Sequence, residues 1–161
     1  NGYLAFGCDI SAYALEQEPE LKTALARADV HRLPFPSGEA DVVTVFDVLE
    51  HLHRPEACLA EAVRILKPDG LLVGTTPDPI YFDRVEETHC FERPPSFWLG
   101  LLQEMGMAVQ FRFSVEHYNF QFVAARADSP TAGRLTLLQH DYFRLPATSL
   151  QSPRQSIATD I

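Results

Sequence analysis

Long apolar runs are absent from this chain. No segment approaches the ~18 consecutive apolar residues of a membrane-spanning helix, so no membrane partner is expected. Positive charge is scarce too: the formal net charge is −9, and the two lysines are outnumbered by eleven arginines. That balance argues against a bulk electrostatic grip on DNA, RNA or an anionic membrane, and no nucleic-acid partner is expected. It leaves a small-molecule partner open. Cysteine is limited to Cys8, Cys58 and Cys90, an odd number without a pairing pattern. A disulfide scaffold is therefore not expected, and a reducing, cytoplasmic setting is. Cys8 and Cys58 sit in apolar segments, where a free thiol reads as a small buried hydrophobe. The chain opens on Asn1 rather than Met, shows no secretory signal pattern, and enters a strand within a few residues. It reads as a piece whose natural beginning is missing.

What is present suits one domain with a sizeable core: 161 residues, 46% of them hydrophobic and 22% charged. The chain is organised around Ala40 to Pro77. Asp41 to Phe46 is short, apolar and β-branched, the pattern of a strand buried on both faces of a parallel sheet. Pro55 suits the first turn of a helix. Leu59, Ala62, Val63 and Leu66 form its apolar face, with Glu56, Arg64 and Lys67 off that face. Pro68-Asp69-Gly70 is expected to end the helix and turn the chain into a second buried strand, Leu71 to Thr76. Two buried strands joined by a helix make a βαβ unit, and loops at the carboxyl ends of its strands hold ligands. Asp47 to Leu52 is one such loop; Thr75 to Pro79 begins another.

Before this unit, Tyr3 to Cys8 reads as a buried strand ending in Asp9, with Ser11 capping a helix over Ala12 to Gln17. Asp9 stands where nucleotide-binding α/β folds place the acid that accepts from ribose hydroxyls, although a turn-capping acid fits as well. Pro19 to Arg27 reads as a short helix with Leu21 and Leu25 inward. Asp29 lies at a strand-to-loop boundary, and Leu33-Pro34-Phe35 should fold back as an apolar cover. Asp78 to Pro94 is a long aromatic and charged loop, the kind that carries function in a compact domain. Ser96 could cap a helix from Phe97 to Glu104, with Phe97, Leu101 and Leu102 inward and Gly106 ending it. Met107 to Val115 and Tyr118 to Arg126 read as an antiparallel hairpin. From Ala127 the chain is polar and broken by prolines, with Leu135 to Leu138 and Asp141 to Phe143 able to dock and disorder expected beyond Ser149.

Four pieces in order resemble one family: Gly7-Cys8-Asp9-Ile10-Ser11, Ala28 to Phe35, Asp47-Val48-Leu49-Glu50-His51-Leu52, and Arg64-Ile65-Leu66-Lys67-Pro68-Asp69-Gly70. With the terminal hairpin, they resemble the class I S-adenosylmethionine-dependent methyltransferases, in their small-molecule branch, over Gly2 to about Arg126. The resemblance implies an α/β fold, a Rossmann-like sheet that is mostly parallel with a C-terminal antiparallel hairpin. It divides the chain into a partial methyltransferase domain, residues 1–126, and a C-terminal extension, 127–161. The family's glycine-rich first strand has no counterpart here. The sheet is therefore expected to miss its first, central strand, between the strand ending at Cys8 and the one ending at Phe46.

The resemblance also implies S-adenosylmethionine as cofactor and assigns roles. Asp9 would hold the ribose hydroxyls and Ile10 would pack on the adenine. Asp29 would accept from the adenine amino group and the Val30 N–H would meet the ring. Phe46 and Asp47 would approach the methionine end. His51 would sit beside the acceptor pocket, where an imidazole can serve as general base, although a structural histidine at the helix start is the more ordinary reading of the residue. His89, in a Thr-His loop similar to that of relatives acting on sugars and glycolipids, is a second candidate. His53 and His31 are expected to face solvent. Asp47-x-x-Glu50-His51 also permits a metal, since such a spacing can converge on one helical face. Similar letters occur in relatives with and without a divalent ion, and no metal is expected. The implied activity is methyl transfer to a small-molecule acceptor, sugar or lipid-linked metabolites included. The contrasting class is a non-catalytic remnant serving as an interaction module.

Overall fold

β-Branched and apolar residues over Ala40–Phe46 (β3) and Leu66–Pro77 (β4) pair in parallel, Val43 opposite Leu72 and Thr44 opposite Val73. In a computed structural model describing residues 4–17, 24–79, 87–114 and 119–135, the helix Pro55–Ile65 (α2) joins these two strands. The α2 helix stops at Ile65, short of the expected Lys67. The Gly38 N–H donates to the Arg64 carbonyl (3.0 Å) and the Glu39 N–H to that of Ile65 (2.9 Å), so the incoming chain consumes the helix's last acceptors. Pro68-Asp69-Gly70, expected as the turn between helix and strand, lies within β4. There Leu66 pairs with Ala40 and Leu71 with Val42, so the residues between them form a bulge. A Cβ on Gly70 would stand 2.8 Å from the Leu66 side chain and 3.0 Å from the Ala40 carbonyl, which is why glycine occupies it.

Met107–Ser114 (β5) and Asn119–Arg126 (β6) form the expected antiparallel hairpin, and β6 pairs antiparallel with β4. The resulting four-stranded sheet has the order β3-β4-β6-β5. Gly74 leaves room for the Phe122 ring across that pairing. The core lies between this sheet and the helices α2 and Pro95–Glu104 (α3). Leu49, Leu59, Leu66, Leu72, Trp98, Leu102, Phe120 and Phe122 are fully buried in it. On α3 the inward aromatic is Trp98 rather than the expected Phe97, which is partly exposed. The Trp98 indole N–H donates to the Arg93 carbonyl (3.1 Å), satisfying its polar atom inside the core. Gly106 takes φ +76 just past α3, the left-handed position that ends a helix.

The remaining strands, Gly7–Asp9 (β1) and Leu25–Arg27 (β2), form a separate two-stranded parallel sheet. The helix expected over Pro19 to Arg27 is not what its end adopts: Leu25–Arg27 pairs with β1, and residues 18–23 lie outside the described residues. The first strand is shorter than Tyr3 to Cys8, and Leu4 and Phe6 are exposed rather than buried. The helix Ala12–Glu16 (α1) follows, its Ala14 N–H donating to the Ser11 hydroxyl (3.2 Å).

Among the described residues no strand stands between β1 and β3, the place of the expected missing central strand. β3 is not buried on both faces as expected: Val42 and Phe46 are each more than half exposed. The two parts are tied through α2. The Leu33 N–H donates to Glu61 (2.8 Å), and Arg64 donates to Glu61 (2.7 Å) and to the carbonyls of Phe35 (2.9 Å) and Leu33 (3.1 Å). This clamp folds Leu33 to Phe35 back as expected, with Phe35 meeting Phe6 at 6.5 Å between ring centroids. Residues 130–135 are helical, and Leu135 is buried. The tail expectations beyond them, and the loop at 80–86, lie outside the described residues. Among the described residues no helix is long and apolar enough to cross a membrane.

Candidate functional site

Three strands lead into acids. Asp9 closes β1, Asp29 follows β2, and Asp47 follows β3. Asp9 Oδ1 accepts the Ser11 N–H (2.7 Å), so one oxygen shapes the turn into α1. Ile10, beside it, is 65% exposed. Asp29 Oδ1 accepts both the His31 N–H (2.9 Å) and the His31 ring at Nδ1 (2.7 Å). The backbone donor first, then the imidazole, holds the Asp29 carboxyl below its ordinary range. His31 is thus partly buried and paired, where a solvent-facing ring was expected. His53 does face solvent. Val30 packs against the edge of the core.

Asp47 adopts φ +50, the one described non-glycine residue in the left-handed region. Its N–H donates to the Thr75 carbonyl (3.2 Å), and its Oδ1 accepts the Thr75 hydroxyl (2.8 Å), so β3 and β4 end on a mutual clamp. Such backbone strain is held only where the surroundings over-determine it, and it concentrates at ligand sites. Phe46, just before, presents an exposed ring.

The Asp47 turn leads into a 3₁₀ turn, Leu49–His51, that turns Glu50 inward. Glu50 is 1% exposed, and neither carboxylate oxygen has a hydrogen-bond partner. Burial raises its pKa above the ordinary carboxylate value. Its carbonyl accepts the N–H groups of Cys90 and Phe91 (both 2.9 Å), which brings the segment after the 80–86 loop against the 3₁₀ turn. His89 therefore meets His51 edge-on, ring centroids 4.8 Å apart. The His89 ring is hydrogen-bonded to Glu92 (2.9 Å) and the His51 ring to the Thr88 carbonyl (3.1 Å).

The structure thus brings His51 and His89 into one cluster and keeps Asp47 apart from it, tied to Thr75. Asp9 and Asp29 lie at neighbouring strand ends of the other sheet. Glu50 was legible as part of an acidic loop, but its burial was not. Glu92 carried only the weak signal of a carboxylate three residues after a histidine. Cys58 is buried as expected, its thiol pushed up to about 11 by that burial, whereas Cys8 is only partly buried.

A methyltransferase-domain family model matches residues 1–74. The crystal structure of an S-adenosylmethionine-dependent methyltransferase from Archaeoglobus fulgidus superposes with a TM-score of 0.62 at 18% identity, covering 74% of each chain. Over residues 1–74 the chain is similar to the methyltransferase domain, and the superposition shows that it shares the Rossmann-like fold of such enzymes. A Mycolicibacterium smegmatis protein named a probable S-adenosylmethionine-dependent methyltransferase is 30% identical over 98 residues, 58% of this chain and 38% of its own length. The ubiquinone/menaquinone biosynthesis C-methyltransferase of Cupriavidus necator is 27% identical over 133 residues, 78% of this chain and 51% of its own. The chain spans about half or less of the length of these curated methyltransferases. The names of the Mycolicibacterium smegmatis and Archaeoglobus fulgidus proteins state dependence on S-adenosylmethionine.

Proposed function

We propose that this chain carries the nucleotide-binding and acceptor-facing parts of an enzyme that methylates a small molecule, with sugars and lipid-linked metabolites as the favoured acceptors. The observation that carries the reading is the placement of Asp9, Asp29 and Asp47 at or just past the carboxyl ends of β1, β2 and β3, strands that each pair in parallel with a neighbour, where α/β folds bind nucleotides. The acids fit the cofactor. Asp9 and Asp29 each commit Oδ1 to a local N–H, which leaves Oδ2 to accept from a ribose hydroxyl and an adenine amino group. Exposed Ile10 offers an apolar surface to the adenine, and the backbone at Val30 its ring edge. Phe46 and Asp47 face the methionine end. The glycine-rich segment that completes such a site is not among these residues, so the chain supplies part of it.

The bound cofactor supplies an activated methyl on a sulfonium. The protein's share is to align the acceptor behind that methyl and exclude water. Where the acceptor must lose a proton, His51 or His89 takes it. The net charge of −9 favours a neutral or cationic acceptor over a nucleic acid.

A second reading, a methyltransferase-like interaction module, is favoured by one observation. Leu4, Phe6, Ile10, Tyr13, Val42 and Phe46 all expose apolar surface. Calorimetric titration with S-adenosylmethionine separates the two, on this chain and on one extended upstream. The enzyme reading expects heat from at least the extended chain, and Asp9→Ala should weaken binding by ~1–3 kcal/mol through loss of a charged acceptor. No heat from either chain favours the module; unchanged affinity in the variant removes Asp9 from the site.

A further inference from the structure

Asp9 and Asp29 turn the chain in the same way, yet one of them has an extra partner. Each Oδ1 accepts the N–H two residues on, from Ser11 (2.7 Å) and from His31 (2.9 Å). At Asp9 that backbone bond is enough to shape the turn. Asp29 Oδ1 also meets His31 Nδ1 at 2.7 Å. The ring does not lie loosely on the surface: the His31 side chain is 23% exposed, against 55% for Asp29. His31 Nε2 is buried without a hydrogen-bond partner. Keeping a polar ring atom there costs free energy, and shaping the turn, which the N–H already does, leaves that cost unexplained.

A carboxylate only accepts, so His31 Nδ1 carries a proton and donates to it. With both donors on Oδ1, the carboxylate cannot turn without breaking one bond, and Oδ2 has no partner among the described residues. The turn is also anchored to the neighbouring strand end. The Ala28 N–H donates to the Asp9 carbonyl (3.0 Å), and Arg27 Nε to the Ile10 carbonyl (3.0 Å). Asp29 Oδ2 is therefore held in place relative to Asp9. The His31 N–H first, then the ring, keep the Asp29 carboxyl below its ordinary range, and Arg54 at the start of α2 acts in the same direction. An ionised carboxylate accepts and never donates. It favours an amino group and disfavours a carbonyl oxygen in the same place.

We propose that His31 is a positioning residue for nucleobase recognition: its ring holds the Asp29 carboxylate so that Oδ2 meets the amino group of an aminopurine and discriminates against an oxopurine. The role rests on the cofactor reading, in which Asp29 faces the adenine. His31 need not touch the ligand, because it acts through Asp29. The ring replaces a freely turning carboxylate with a pre-set one, which lowers the cost of ordering that group when the ligand binds. Without the ring, Asp29 keeps its backbone bond and the turn keeps its shape. The loss then falls on base selectivity rather than on the fold.

Calorimetric titrations with S-adenosylhomocysteine and S-inosylhomocysteine test the assignment, on this chain and on the one extended upstream. The two compounds differ in carrying an amino or an oxo group on the purine. The parent should prefer the adenosine compound by about tenfold or more, as expected for a hydrogen bond to a charged acceptor. His31→Ala should cut that preference by about threefold or more and leave the affinity for the inosine compound within about twofold. His31→Asn keeps an N–H near the Nδ1 position and should restore the preference. In an Asp29→Asn background His31→Ala should have no further effect on it, because the ring acts through the carboxylate. Without ligand, the Asp29 carboxyl followed by NMR should titrate at higher pH in His31→Ala than in the parent. An unchanged preference in His31→Ala, an equal loss for both compounds, or an unmoved Asp29 titration overturns the proposal and leaves the cofactor reading standing. Binding of neither compound to either parent chain removes the cofactor reading, and the role of His31 with it.

Discussion

The two sheets make unequal contributions. The four-stranded sheet owns the core: Leu72, Phe120 and Phe122 are fully buried against α2 and α3, and its register is continuous across β4, β6 and β5. The two-stranded sheet pairs three residues with three and leaves Leu4, Phe6, Ile10 and Tyr13 exposed. Yet this thinner part carries Asp9 and Asp29, the acids proposed to meet the nucleotide. On that proposal stability and ligand chemistry are divided, and the clamp of Glu61 and Arg64 on the Leu33 loop links the two parts. Sites drawn from the less stable part of a fold are common, because ligand binding can supply the order that packing does not.

Substitutions can sharpen or break that comparison. The largest effect is expected at Trp98. Trp98→Ala removes a fully buried ring and its hydrogen bond and should cost about 3–5 kcal/mol of unfolding free energy in a denaturant melt. A small cost would mean that the four-stranded sheet does not hold the stability.

A smaller effect is expected at the clamp. Glu61 has its carboxyl pulled below the ordinary value, first by its hydrogen bond to Arg64. Its folded pKa is depressed, so its contribution is present above the unfolded carboxylate range and is lost as pH falls through the folded value. Glu61→Gln should therefore flatten part of the acid limb of a stability-against-pH curve and change little in acid below both values. An unaltered acid limb would show that the clamp does not couple the sheets.

The smallest effect is expected at Tyr13, 72% exposed on α1. Tyr13→Ser should lie within about 0.5 kcal/mol of the parent. A loss comparable to that at Trp98 would show that the exposed side of α1 is covered in solution, and the comparison would fail.

Much of the fold was legible because its signals are local. The apolar run of β3, Pro55 at the start of α2, Gly106 after α3 and the two alternating strands of the hairpin all act within a few residues. The misreadings have identifiable causes. Ala24 to Arg27 has helix-favouring residues, but three backbone pairings to β1 override that weak preference. Trp98 replaces Phe97 at the core because adjacent helical positions differ by about 100° in direction, and apolar residues on both sides left the rotation open. Pro68 to Gly70 looks like a turn, and its glycine is indeed needed, but for a bulge that lets β4 begin directly after α2. Leu66 to Gly70 could satisfy either description until Ala40 was in place to pair with it.

The site divides along the same line. The sequence by itself determined which acids end the strands, because a strand's end and the polar residue after it are written in consecutive letters. Asp9, Asp29 and Asp47 follow from that alone, as does the family resemblance that gives them roles. Only the tertiary structure decided that Glu50 turns inward without a partner, that Asp47 spends its carboxylate on Thr75, and that His89 comes to lie against His51. Each of those depends on a contact between segments far apart in the chain: Thr75 on a neighbouring strand, and the backbone N–H groups of Cys90 and Phe91 on the Glu50 carbonyl. Local pattern fixes where a side chain leaves the backbone, but which atoms it meets is set by long-range pairing.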